Sequence, residues 1–156
     1  MRAFPTLDAL DRKILAELQR DGRITNAELS DRVALSASAC LRRVQRLERD
    51  GVIEGYTARL NAAALDRSVL VFVEITLTSQ SEEALAAFET AVLDCPEIQE
   101  CHLMAGTADY LLKIAVADTA DFAAIHQKRL SRLPGVARMQ SSFTLRTVVQ
   151  TTALEL

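Results

Sequence analysis

Four arginines fall between Ser36 and Arg49, a stretch whose single acid is Glu48. Arg42, Arg46 and Arg49 recur at i, i+4 and i+7, a spacing that gathers three guanidiniums toward one side of a helix, with Arg43 flanking them. Cys40, Val44 and Leu47 form an apolar stripe on another side, and Ser36 is placed to cap the first turn, which also carries Ser38 and Ala39. Such a helix suits the groove of a nucleic-acid duplex. Short residues at its N-terminus can approach base edges, longer cationic ones can grip phosphates, and the N-terminus itself attracts an anion. The candidate contact set is Ser36, Ser38, Ala39, Arg42, Arg43 and Arg46. A plain solvated face is the competing explanation. It serves Arg49 equally well, because Glu48 and Asp50 flank that residue, and it is weaker for the other three, where no acid is interleaved. For Ser36 a helix cap alone would suffice.

The whole chain carries a net charge of −3, which by itself disfavours a polyanion. The distribution points the other way. Met1 to Tyr56 holds ten basic and nine acidic residues, and the remainder holds eight and twelve. Local charge is what a phosphate backbone feels, and the positive charge is concentrated in one segment.

Three helices are expected to carry this segment. Leu7, Leu10, Ile14 and Leu18 mark one face of the first, with Asp8 near its start and Asp21-Gly22 at its end. Thr25-Asn26-Ala27-Glu28 is a capping box opening a short second helix that carries Leu29 and Val33. The third runs from the Ser36 cap to Asp50-Gly51. Val52 to Thr57 then alternates and carries β-formers, which predicts a strand or wing. The connector from about Arg59 to Arg67 is compatible with either a helical turn or a strand.

The second half alternates element types. Strands are expected at Val69–Thr78, Glu97–Ala105, Asp109–Ala117 and Val136–Val149. A helix is expected after a Ser79–Glu82 capping box, carrying Ala84, Leu85, Phe88 and Val92, and another opens at Thr119 and stops at Pro134-Gly135. The order is βαββαβ, the split ferredoxin-like unit. The fold class is therefore α+β: a winged helix-turn-helix over 1–57, a connector over 58–68, and a ferredoxin-like domain over 69–156. In such a sheet Val71, Val73, Ile75, Leu77, Leu112, Ile114 and Val116 suit the helix-covered face. Leu70, Phe72, His102, Met104 and Leu111 fall on the other. That is too much apolar surface to leave wet, so a second sheet, and with it a homodimer, is expected there.

The segments Leu7–Leu15, Leu18–Arg23, Leu35–Glu48 and Gly51–Tyr56 are similar to the DNA-binding half of the Lrp/AsnC (feast/famine) regulators. Glu100–Gly106, Asp109–Lys113 and Leu133–Val136 extend the likeness through the second half, near the leucine-responsive branch. It covers nearly the whole chain in the right order. The resemblance implies a sequence-specific transcription regulator acting on a two-fold operator in double-stranded DNA. It also implies a homodimer assembling to a tetramer or octamer and a small effector, commonly an amino acid, bound at the turn between the second and third strands. Carried onto this chain, the effector site would include Met104, Gly106, Thr107, Ala108, Asp109 and Tyr110, with Ser141 and Ser142 closing it. Gly106 would allow close backbone approach at positive φ, Asp109 would pair with an α-ammonium, and turn N–H groups would hold the carboxylate. A tight hairpin and a turn-closing carboxylate explain the same two residues without a ligand. The family usually has an acid at position 107 and an aromatic ring at 108. Thr107 and Ala108 depart from this, which predicts a larger pocket and an effector bulkier than alanine.

Three cysteines without a C-x-x-C pair, a first segment (Met-Arg-Ala-Phe-Pro) unlike a signal peptide, and no apolar run of spanning length point to a reduced, cytoplasmic setting away from membranes. No metal or cofactor is expected, because His102 and His126 stand alone and no nucleophile or phosphate-loop motif occurs. Cys40 reads as a small core residue rather than a redox sensor. Two other classes remain open: an architectural DNA-binding protein without effector control, and an enzyme similar to the tetrapyrrole decarboxylases that share this fold.

Overall fold

A computed structural model describes residues 5–156; Met1–Phe4, part of the segment set apart from signal peptides, lies outside them. The chain divides into two units: residues up to Arg59 together with Val149–Leu156, and Leu60–Val148.

The first unit holds α1 (Ala9–Arg20), α2 (Asn26–Arg32) and α3 (Ala37–Arg49). Each begins on a side-chain cap. Asp8 and Asp11 form a reciprocal capping box on α1, Thr25 and Glu28 form one on α2, and the Ser36 hydroxyl accepts from the Ala39 N–H at 3.3 Å. Ile14, Leu15, Leu29, Val33, Cys40 and Leu47 are buried together, which brings the apolar stripes of the three helices onto one core. The turn between α2 and α3 passes through Ala34 at φ +56°, a left-handed conformation that crowds a Cβ. Ala34→Gly should therefore stabilise this unit by about 0.5–1 kcal/mol, seen as a raised denaturant midpoint with an unchanged slope.

The wing expected at Val52–Thr57 is not a strand. After Gly51, at φ +75°, the N–H groups of Val52 and Ile53 both turn back to the Leu47 carbonyl, at 2.9 and 3.1 Å. These bonds close the end of α3 and pack both side chains on the core, and among the described residues no partner strand ladders with those that follow. The connector forms a short 3-10 turn, Ala63–Leu65.

The second unit runs β1 (Val69–Leu77), α4 (Glu82–Leu93), β2 (Ile98–Leu103), β3 (Tyr110–Val116), α5 (Thr119–Lys128) and β4 (Val136–Phe143). The strands form one antiparallel sheet in the order β2-β3-β1-β4, the expected ferredoxin-like arrangement. Alternate β1 and β3 residues, Val71, Val73, Ile75, Leu77, Leu112, Ile114 and Val116, are buried with Phe88 and Val92 of α4 and Phe122 and Ile125 of α5. Leu70, Phe72 and Leu111 lie half-buried on the face that carries no helix, as the alternation predicts.

Several boundaries differ from expectation: β2 is shorter than Glu97–Ala105, and the helix opening at Thr119 ends at Lys128, short of Pro134-Gly135, with Leu130–Arg132 forming a separate 3-10 turn. The last strand ends at Phe143 rather than Val149, because β1 supplies partners only as far back as Val71 for Phe143, and a final Thr144 N–H to Leu70 carbonyl bond at 2.9 Å closes the ladder. The cap of α4 is Ser81, two residues after the expected Ser79, and the intervening Gln80 side chain is held by Asp109.

Candidate DNA-binding helix and effector loop

Helix α3 presents Ser38, Leu41, Arg42, Gln45 and Arg49 to solvent. At 100° per residue, Ser38, Arg42, Gln45 and Arg49 fall in an arc roughly opposite the buried Cys40 and Leu47. Arg42 has no ion-pair or hydrogen-bond partner among the described residues, and Arg49 makes a loose 3.6 Å contact with Asp50. Ser36 is a cap, and its hydroxyl stands 3.3 Å from that of Ser38. Ala39 is half-buried in the first turn, which the Asn26 amide braces by donating to the Ala37 carbonyl at 2.9 Å.

Arg43 and Arg46 are not the free phosphate grips expected of them. The Arg43 Nη1 donates to Asp8 Oδ2 at 2.7 Å and to Asp11 Oδ1 at 2.8 Å, and the Arg46 Nη2 donates to Asp11 Oδ2 at 2.6 Å. Asp11 is 1% exposed. No acid is interleaved with these arginines along α3, because their acids come from α1. The Asp11 N–H, then the Arg43 guanidinium, hold the Asp8 carboxyl below its ordinary range, and the two carboxylates push Arg43 up. The Thr25 hydroxyl and N–H lower Glu28 in the same way. A carboxyl whose folded pKa is depressed stabilises the fold above its ordinary pKa, and that contribution disappears as pH falls through the folded value. The first unit should therefore keep its melting temperature between pH 7 and 5 and lose it below about pH 4, and Asp8→Asn should flatten the acid limb.

Sequence reasoning missed Gln45 and Asp11. Gln45 stands seven residues after Ser38 and three after Arg42, so the helical period could have supplied it. Asp11 stands alone between Leu10 and Ile14 on an otherwise apolar face, a position where only a buried partner would tolerate a charge.

In the second unit, Met104–Asp109 forms an irregular loop, closed by a Met104 N–H to Asp109 carbonyl bond at 2.8 Å. Met104, Gly106 and Thr107 are exposed and Ala108 is half-buried, so these four are open to a ligand. Asp109 and Tyr110 are not. The Asp109 carboxylate accepts from the Leu77 N–H at 2.7 Å and from the Gln80 amide at 2.6 Å, and the residue is 8% exposed. Its expected ammonium role gives way to that of a buried brace between β1 and the chain leading to α4. Tyr110 is buried against Phe88, ring centroids 4.5 Å apart, and its hydroxyl donates to Glu89 at 2.7 Å. Gly106 does not adopt positive φ, and a Cβ there would meet nothing within 4 Å, so the local backbone does not require glycine.

Ser141 and Ser142 do not join this loop within one chain. Tyr110 pairs with Ile75, and Ile75 with Met139, so β4 lies two strand spacings, roughly 10 Å, from the loop's end of β3. The two serines also point oppositely: Ser141 pairs with Val73 on the helix-covered face and Ser142 with Phe72 on the open one.

No helix among the described residues is long and apolar enough to cross a membrane, and no cluster there has the make-up of a metal site. A winged helix-turn-helix DNA-binding family model matches residues 7–54, and the Lrp/AsnC ligand binding domain matches residues 70–154. The leucine-responsive regulatory protein of Escherichia coli K12 is 51% identical across 95% of this chain and 90% of its own length. Among solved structures, a transcriptional regulator of Neisseria meningitidis in complex with L-methionine superposes with a TM-score of 0.91 at 38% identity, covering 96% of this chain and 97% of its own. An AsnC family transcriptional regulator of Agrobacterium tumefaciens superposes equally well, TM-score 0.91, at 37% identity and the same coverage. With both domain models in order along one chain and close relatives across nearly all of it, the protein belongs to the Lrp/AsnC family of transcription regulators.

Proposed function

We infer that this chain is a DNA-binding transcription regulator, not an enzyme, whose DNA affinity or assembly responds to a small effector of amino-acid chemistry. The observation that carries this reading is an outward arc on α3 with Arg42 unpaired among the described residues, in the same chain as a ligand-binding domain. A guanidinium left free of acids in a chain of net negative charge is placed for an external anion, and duplex phosphates fit it. The DNA contacts are Ser36 and Ser38 at the helix N-terminus and Arg42 along it, with Arg49 joining them. The effector lies against Met104, Gly106, Thr107 and Ala108. Thr107 and Ala108 leave room there, so its side chain is larger than alanine's; the Neisseria relative holding L-methionine supports an effector of that size.

The open sheet face, with Leu70, Phe72 and Leu111, takes a second copy of the chain. The resulting homodimer offers two α3 helices to a two-fold operator and assembles further to a tetramer or octamer. Ser142, on that same open face, then reaches the effector from a neighbouring copy. The cytoplasm is where such a protein meets both DNA and free amino acids. The deciding experiment is selection of bound sequences from a random duplex pool, with and without a mixture of the amino acids. A two-fold motif with half-sites about one helical turn apart, enriched differently in the two arms, is expected. A pool with no motif in either arm would overturn the reading in favour of an architectural DNA-binding protein.

A further inference from the structure

Asp11 is the one acidic side chain among the buried polar residues described in the first unit. Both of its oxygens are engaged by α3, at 2.8 Å by Arg43 and at 2.6 Å by Arg46, and the Asp8 N–H adds a third bond at 3.2 Å. Arg43 and Arg46 are three residues apart, so they leave α3 on the same side and reach the carboxylate as two prongs. Asp8 takes the Arg43 Nη1 as well, at 2.7 Å. Charge-assisted bonds of this length to a desolvated carboxylate are strong and directional, and a two-pronged grip resists rotation of the helix about its own axis.

We propose that Asp11 is a positioning residue for DNA recognition. From α1 it fixes the roll of α3 through Arg43 and Arg46, so that Arg42 and Arg49 hold phosphates while Ser38 and Gln45, beside them on the same outward arc, face base edges. This rests on the regulator reading given under the proposed function. The Gln45 amide stands about 7 Å from the helix axis, so a roll of about 20° moves it about 2.5 Å, enough to carry it out of hydrogen-bond range of a base edge, whereas the longer arginine side chains can swing to keep a phosphate. Gln45 lies between Arg42 and Arg49 along the helix, and its amide can both donate to and accept from one base, the pattern that adenine presents in the major groove. The four arginines therefore divide into two pairs, one turned inward to aim the helix and one facing outward.

The salt dependence of binding separates this from the alternatives. Affinities of the full-length protein and its Arg42→Gln, Arg43→Gln, Arg46→Gln and Asp11→Asn variants are measured over a range of KCl on a selected operator and on a scrambled duplex. The expected result is that Arg42→Gln lowers the slope of log affinity against log salt by about 0.9 on both duplexes, while Arg43→Gln keeps the parent slope. Asp11→Asn and Arg43→Gln should weaken operator binding about tenfold and leave the scrambled duplex within about twofold, a selective loss of the size of one mismatched base pair. A slope lowered by Arg43→Gln or Arg46→Gln as much as by Arg42→Gln would overturn the proposal, since those arginines would then reach phosphates directly. Tighter binding of both duplexes by Asp11→Asn would also overturn it, because Asp11 would then act only as a repelling charge. Should Asp11→Asn fail to show the parent's circular dichroism and melting, the Arg43→Gln slope decides alone. Parent protein that binds neither duplex overturns the regulator reading itself, a result visible before any variant is made.

Discussion

Replacing Arg42 and Arg49 together by alanine should lower affinity for duplex DNA about 30-fold near 0.15 M salt and reduce the salt slope by about 1.8. The estimate follows from counterion release. Each lost phosphate contact removes about 0.9 from the slope, which at that salt concentration is about fivefold in affinity. The two changes should act independently, since the residues lie two turns apart on α3 and Arg42 has no intramolecular partner among the described residues. Stability should hold within about 0.5 kcal/mol, because both side chains are exposed and their removal leaves nothing buried without a partner. Titration of a labelled promoter fragment at several salt concentrations checks both numbers. A double variant with the parent slope would mean that the outward arc does not meet the phosphates. Arg43→Ala should behave oppositely, leaving the slope alone and lowering the melting temperature, because its loss leaves the buried Asp11 with half of its clasp.

Asp109→Ala should destabilise the second unit by about 3 kcal/mol, the cost of stranding a buried N–H and losing two hydrogen bonds to a carboxylate. For a domain of this size that is a fall of roughly 12–24 °C in melting temperature. The groups left without a partner are the Leu77 N–H at the end of β1 and the Gln80 amide just before the Ser81 cap of α4. Both the strand end and the helix start should loosen, visible as faster amide exchange around Leu77 and Ala84. Asp109→Asn separates this from an ammonium role. An asparagine oxygen can still accept from Leu77, so stability should fall by only about 1 kcal/mol, and calorimetric heat on adding an amino acid should persist. Heat lost in Asp109→Asn with stability kept would restore Asp109 to the effector site.

How far the sequence reaches varies element by element. Ile14, Leu29 and Cys40, and the alternation of Val71, Val73 and Ile75, identify helix and strand faces because a buried stripe must repeat with the period of its own backbone. The same logic locates α3, its Ser36 cap and its cationic side. It fails at Val52–Thr57, where alternation and β-formers are present but a partner is not. A strand is a property of two segments, and Gly51 has already committed Val52 and Ile53 to closing α3. It also runs β4 too far, because the ladder stops near the start of β1, a limit held in a segment more than sixty residues away.

The candidate sites divide along the same line. That α3 carries arginines, and that a short loop follows β2, depends on neighbours in the chain and is written in local order. Which arginines are free is decided elsewhere: Asp8 and Asp11 lie more than thirty positions from Arg43 and Arg46, and only packing α1 against α3 turns those two guanidiniums inward. Asp109 likewise looks like a loop residue able to meet a ligand until folding brings the Leu77 N–H and the Gln80 amide onto its carboxylate. The sequence by itself determined the elements, their order and the chemistry each face carries, since periodicity and capping act over one or two turns. Only the tertiary structure decided which charged groups are paired inside the protein and which remain for a partner, because an ion pair forms wherever the fold places opposite charges, whatever their separation along the chain.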